Sequence, residues 1–292
     1  MQRLKRKSKF IHKFENKYAT IICPEFYVLA WAHRCNFEPK CSYCYLNLTF
    51  RYEKEPVLYI NVDEMIEEVK IWLDETKEPS VLNCGELADS FMLTSNKALA
   101  ELMDIFEKQQ KHTLLFLTKN EIIPAEIEEN IYSRVYKNTL FSFSINSLEV
   151  SDRYEKGASN PFKRLATAYR LKKHLQRIRI RIDPIIEIVD FKTEYQPVIN
   201  VINEFVKPER VTLGSLRFFK NLQNYSEDKE LFTKATDNND QDKRMRIEFN
   251  KRVEMYKYFF ENLKIEEIAL CKETLSCYRY LFIKMNRCNC TI

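Results

Sequence analysis

Six short apolar runs, separated by stretches with helical spacing, constrain this chain more than any other feature. The runs lie near residues 26–32, 80–84, 113–118, 139–145, 178–186 and 210–215. Helical patterns lie between them, near 63–75, 96–110, 124–132, 161–175 and 194–206. Apolar runs of this length bounded by polar turns read as strands, and apolar residues three and four apart read as helix. Asn61-Val62-Asp63 starts the first of these helices, with Met65, Ile66, Val69 and Trp72 on one face. Pro161, just after Gly157-Ala158-Ser159-Asn160, suits the first turn of another. Strands alternating with helices predict a parallel sheet of right-handed βα units. The expected class is α/β, a partial (β/α)6 TIM-type barrel with a C-terminal helical, cysteine-rich extension. The expected divisions are a basic N-terminal segment over 1–22, the barrel over 23–220 and an extension over 221–292 packed on it.

A barrel of this kind gathers its chemistry at the C-terminal strand ends. Cys35, Gly85-Glu86, Lys119, Asn146, Asp183 and Arg217 stand there. The chain has only three glycines, and two of them, Gly85 and Gly214, fall at predicted strand ends.

With 45% hydrophobic and 30% charged residues, the composition excludes a disordered chain. No apolar run reaches the roughly 18 residues of a membrane span. The basic start, MQRLKRKSKF, lacks the apolar stretch and cleavage site of a signal peptide, so a cytoplasmic location without membrane is expected. Nine cysteines in a reducing compartment point to metal binding or reactive thiols rather than a disulfide framework. The net charge of +5 is mild, but Arg3, Lys5, Arg6, Lys7, Lys9 and Lys13 form one basic cluster. Arg170, Lys172, Lys173, Arg177, Arg179 and Arg181 form a second. Each could track a phosphate backbone, or be a solvated tail and a polar helix face.

The densest chemistry is Cys35-Asn-Phe-Glu-Pro-Lys-Cys41-Ser-Tyr-Cys44, directly after the first strand. Three thiolates in one short loop can converge on an iron–sulfur cluster and leave one iron open to another ligand. Structural zinc wants a fourth ligand, and none falls at the usual spacing; His33, on the strand end, would be awkward. Plain buried thiols are the third reading.

A three-cysteine loop closing in Cys-x-aromatic-Cys resembles the radical S-adenosylmethionine superfamily, although here five residues, not three, separate the first pair. Further elements are similar to the spore photoproduct lyase family in order and separation. They are Cys41-Ser-Tyr-Cys44-Tyr-Leu, Tyr59-Ile-Asn-Val-Asp-Glu64, Leu117-Thr-Lys119 and Phe141-Ser-Phe-Ser-Ile-Asn146. Arg181-Ile-Asp-Pro-Ile-Ile186, Leu213-Gly-Ser-Leu-Arg-Phe218 and Cys271-Lys-Glu-Thr274 resemble its lyase-like branch, so the likeness covers about residues 27–275.

The resemblance implies a 4Fe–4S cluster on Cys35, Cys41 and Cys44, with S-adenosylmethionine on the open iron. Reductive cleavage then gives methionine and a 5′-deoxyadenosyl radical that takes a hydrogen atom from the substrate. It implies that Gly85 and Glu86 face the methionine ammonium, and that Lys119 and Ser144 contact its carboxylate. Asn146 and Ser147 would meet the ribose, and Tyr43 the adenine. Each of these has an ordinary strand-end or turn role as its alternative. Tyr43 and Tyr45 match residues of hydrogen-atom transfer, or pack as wall aromatics. In the family a cysteine after the second strand returns the hydrogen atom. That place falls here on Leu87 or Glu86, and Cys84 is the nearest thiol. Cys84 is the candidate donor or a small buried residue, because a one-residue shift on a strand reverses side-chain direction.

Cys271, Cys277, Cys288 and Cys290 could hold a second metal or simply be buried. Phe218, Phe219 and Lys220 could touch nucleic acid or pack the barrel edge. The leading expectation is repair of a pyrimidine photoproduct in DNA, with a flavodoxin- or ferredoxin-type reductant. The alternatives are a radical reaction on RNA, a nucleotide or a peptide, and a zinc-stabilised nucleic-acid-binding protein without catalysis.

Overall fold

A computed structural model describes residues 1–237 and 239–292. All six expected strands are present: β2 (Phe26–Leu29), β3 (Val81–Asn83), β4 (Thr113–Thr118), β5 (Thr139–Ser144), β6 (Arg177–Ile185) and β7 (Arg210–Ser215). Two more strands extend the sheet beyond the six. β1 (Ile11–Phe14) joins one edge antiparallel to β2, and β8 (Ile268–Leu270) joins the other edge parallel to β7. Their spatial order is their order along the chain, and every pairing except β1–β2 is parallel. Parallel neighbours need crossovers. Helices supply them: α1 (Val62–Glu75), α2 (Lys97–Phe106), α3 (Ala125–Ser133), α4 (Leu148–Tyr154), α5 (Pro161–Lys173) and α6 (Phe191–Val201). Pro161 stands in the first turn of α5, where the Asn160 side chain accepts from the Phe162 amide. Beyond 220, α7 (Phe249–Asn262) and α8 (Leu275–Leu281) flank β8.

β4 and β5 are buried along their whole length, so both faces of the sheet are covered. Their alternation sorts the core in two. Leu114, Phe116, Phe141 and Phe143 pack with the helices in a large core. Leu115 and Leu140, paired across β4 and β5, turn the other way and join Phe26, Val28 and Val81 in a smaller inner core. The sheet curls around this inner space. Lys272, just beyond β8, stands over Phe14 of β1 with its Nζ 4.5 Å from the ring centroid, so the two edges approach each other.

Residues 288–292 fill the inner space from the end where the strands begin. Ser142 Oγ donates to Asn289 Oδ1 at 2.8 Å, and Arg179 Nη1 donates to the Asn289 and Thr291 carbonyls at 2.8 and 2.5 Å. Arg210 Nη1 donates to the Cys288 carbonyl at 2.5 Å. Both arginines are buried and are paired through Nε with Glu209 and Glu267. Four of the six residues of the second basic cluster are taken up by carboxylates, Arg177 and Arg179 by Glu209, Arg181 by Asp183 and Arg170 by Glu128, while Lys172 and Lys173 stand outside these pairs. No helix among the described residues is long and apolar enough to cross a membrane.

Candidate active site

The strand ends that follow β2, β3, β4 and β5, together with the ends of β6 and β7, open on one cavity of about 580 Å³. Cys35, Cys41 and Cys44 form one part of its wall. The loop carrying them is tied down by its own backbone. The Cys44 amide donates to the Cys41 carbonyl at 3.1 Å, and Asn47 Nδ2 donates to the same carbonyl. The Asp89 amide donates to Cys35 Sγ at 3.1 Å, a bond suited to a ligating thiolate. Burial pushes the Cys35 and Cys44 thiols up and the Cys41 thiol up to about 12, the last partly offset by Lys119. Free thiols here stay protonated, and a bound metal would supply the missing positive charge and release their protons.

Among the described residues no three Cys, His, Asp or Glu side chains group tightly enough to hold one ion. Three cysteines lining one cavity wall suit the thiolate ligation of an iron–sulfur cluster. His33 is turned away, with Nε2 2.5 Å from Glu53 and Nδ1 3.0 Å from the Tyr59 hydroxyl.

Lys119, at the end of β4, is the hub of a buried charge network. Its Nζ donates to Ser144 Oγ at 2.9 Å, Tyr43 OH at 2.8 Å and Glu155 Oε1 at 2.8 Å. Tyr43 OH also donates to Glu155, and Arg164 Nη1 lies 2.7 Å from the other carboxylate oxygen. Glu155, in the turn that ends α4, has no solvent exposure. Burial alone would raise its pKa, but Lys119 and Arg164 outweigh that and hold it well below the usual carboxylate range. Asp89 links this network to the cysteine loop, accepting from the Lys119 amide at 2.6 Å and Thr118 Oγ1 at 2.7 Å.

Gly85 leaves room that a side chain would take: a Cβ there would stand 2.5 Å from the Leu117 carbonyl oxygen. Glu86 faces the cavity, 3.8 Å from Lys272 Nζ, while its carbonyl accepts from Tyr45 OH at 2.5 Å. Opposite the cysteines, Arg217 grips Asp183 with two nitrogens at 2.9 and 3.0 Å, and Arg181 reaches the same carboxylate at 2.6 Å. Gly214 makes this possible, since a Cβ there would meet Asp183 Oδ1 at 2.5 Å. Phe218, Phe219 and Arg244 complete that wall, with Arg244 5.0 Å over the exposed Phe219 ring.

Three expected residues stand elsewhere. Cys84 alternates with Asn83 and Gly85, so it points into the helix-facing core with Trp31 and Leu82 and does not line the cavity. Asn146 lies beneath the site with its amide occupied: Nδ2 donates to the Pro184 carbonyl at 2.9 Å and Oδ1 accepts from Tyr195 OH at 2.5 Å. Ser147 caps α4, accepting from the Val150 amide. Of the four C-terminal cysteines, Cys288 and Cys290 are hydrogen-bonded neighbours and Cys277 stands apart from them. Cys277 is in the helix-facing core, Cys271 lies 3.4 Å from Arg217 and 3.6 Å from Arg181, and Cys288 and Cys290 are in the inner core with Cys23. Glu155 and Arg164 carry no signal in the sequence because each gains its role only from residues that the fold brings together.

The family model for spore photoproduct lyase matches residues 17–282. Among solved structures, spore photoproduct lyase complexed with dinucleoside spore photoproduct aligns at a TM-score of 0.72 and 18% identity, over 91% of this chain and 80% of that one. A double mutant of the lyase with bound AdoMet and dinucleoside spore photoproduct aligns at 0.69 and 18% identity, over 83% and 75%. Streptococcus suis SuiB bound to precursor peptide SuiA aligns at 0.60 and 12% identity, over 88% and 52%. At these identities the structural likeness is one of fold. No curated protein sequence matches the chain.

Proposed function

Because the chain belongs to the spore photoproduct lyase family, a group of radical S-adenosylmethionine enzymes, we propose that it repairs a pyrimidine photoproduct in DNA. One observation carries the reading: the three cysteines and the Lys119–Ser144 pair line the same cavity as the cationic, aromatic wall of Arg181, Arg217, Arg244 and Phe219. The first half suits a cluster and an amino-acid cofactor, and the second suits a phosphate-bearing, planar substrate.

Cys35, Cys41 and Cys44 would hold the 4Fe–4S cluster, and Gly85, Glu86, Lys119, Ser144 and Tyr43 would hold S-adenosylmethionine. When bound, this pair supplies a carbon-centred radical that takes a hydrogen atom from the substrate. The chain's own residues orient and enclose it. Glu155 fixes the Lys119 ammonium and the Tyr43 hydroxyl, leaving the Ser144 hydroxyl hydrogen, beside the Lys119 charge, to meet a carboxylate. Gly85 lets the backbone approach closely, and Glu86 is placed to accept from an ammonium. Tyr45, half exposed between the cysteines and Glu86, is the side chain best placed for hydrogen-atom transfer toward the substrate wall. The curled sheet suits a partial barrel, in a cytoplasmic protein served by a flavodoxin- or ferredoxin-type reductant.

The test is anaerobic reconstitution with iron and sulfide, reduction by dithionite, and addition of S-adenosylmethionine with ultraviolet-irradiated DNA. Mass-resolved chromatography follows 5′-deoxyadenosine and the restored pyrimidines. Repair by the native chain but not by Cys41→Ala supports the reading. Cofactor cleavage without repair of any photoproduct would reject DNA as the substrate, and absence of bound iron would reject the enzyme class.

A further inference from the structure

The matched span begins at residue 17, so the basic cluster of the first fourteen residues lies outside it. Those fourteen residues contain six lysines and arginines and no carboxylate side chain. The structure does not leave them as a loose tail. Gln2–Leu4 pairs in parallel with Val57–Tyr59. The Arg6 amide donates to Asn61 Oδ1 at 2.8 Å, and the Phe10 and Ile11 amides donate to the two oxygens of Glu68 at 2.9 and 2.8 Å. The Ala30 amide donates to the Phe10 carbonyl at 2.8 Å. These anchors are the C-terminal end of β2 and the first turns of α1, both at the end of the sheet where the cavity opens.

With its backbone fixed, the segment presents Arg3, Lys5, Lys7 and Lys9 outward, all exposed. No carboxylate pairs with any of the four among the described residues, whereas Lys13 is held by Glu25 at 2.6 Å. The strip continues into the site, because His12, Lys13 and Phe14 line the cavity. Ordered, unpaired cations leading into a cationic cavity fit an extended polyanion better than a solvated tail.

We propose that residues 3–9 are a phosphate-binding rail that carries the nucleic-acid strand flanking the reacting bases across the cavity rim. This rests on the reading of the chain as a DNA-repair enzyme. Four unpaired charges engage successive phosphates, while recognition of the reacting bases stays inside the cavity.

The experiment compares two reconstituted variants that lose the same four charges. In one, Arg3, Lys5, Lys7 and Lys9 are changed to Gln. In the control, Lys137, Lys172, Lys173 and Lys207, near the starts of β5, β6 and β7 on the opposite rim, are changed to Gln. Each protein is titrated with an irradiated duplex over a salt series, and is also given a dinucleoside photoproduct too short to reach the rail. For the rail variant, the slope of log affinity against log salt becomes shallower by about 0.9 for each phosphate no longer neutralised, up to about 3.6 for four. Duplex affinity falls about tenfold or more at low salt, while dinucleoside turnover matches the native chain, which also reports an intact fold. The control variant keeps the native slope and affinity. A rail variant that binds the duplex as the control does would overturn the proposal. A native chain that turns over neither the duplex nor the dinucleoside would overturn the repair reading itself, a result visible before any variant is compared.

Discussion

Glu155 is a carboxylate without solvent contact that two cations and a phenol share. Removing its charge while keeping its shape leaves Lys119 and Arg164 buried without their counter-charge. Glu155→Gln is therefore expected to lower stability by about 3–5 kcal/mol, read from denaturant unfolding. Asp183 gives the pH dependence. Burial would raise its pKa, but Arg217 and Arg181 prevail and hold it well below the usual carboxylate range. A group depressed in the folded state contributes stability above its unfolded value, about 3.9, and loses that contribution as the pH falls toward the folded value. The native chain should lose stability steeply on acidification below about pH 4, and Asp183→Asn should be weaker at neutral pH with a flatter acid limb. Urea midpoints measured from pH 2 to 7 decide this.

At the scale of elements, the six central strands were legible because each is an apolar run long enough to stand out from its polar turns. β1 was not: Ile-His-Lys-Phe is too short and too polar to register alone, and it forms by pairing with an edge already present. A strand is legible at the start of 267–292, where β8 is Ile-Ala-Leu. The cysteine loop was legible through its spacing. Cys84 shows where local reading stops, since one step along β3 decides whether a thiol meets the cavity or the helices. Cys84→Ala should leave product formation unchanged and cost about 1 kcal/mol of stability, whereas Cys41→Ala should abolish it; parallel turnover and melting measurements separate the two. Gly85→Ala sets a methyl against the backbone of β4 and should cost about 1–3 kcal/mol or more, seen as a lower Tm.

At the scale of the whole molecule, the sheet has no independent half. Its edges come from residues 11–14 and 268–270, and its interior is filled by residues 288–292. Deleting 288–292 removes acceptors from the buried guanidiniums of Arg179 and Arg210. At about 1–3 kcal/mol for each group left unsatisfied, the loss should be about 2–6 kcal/mol, measured as a shift in the urea midpoint. The same arrangement has a consequence in time. A ribosome adding about 5–20 residues per second needs about 15–60 s to make residues 1 to 292. From residue 215 until residue 268, about 3–11 s of that interval, β7 has no partner on its outer side, and the inner arginines wait longer still for their acceptors. The emerging chain must therefore wait, with a strand edge open to its neighbours, for residues made well after the strand they cover.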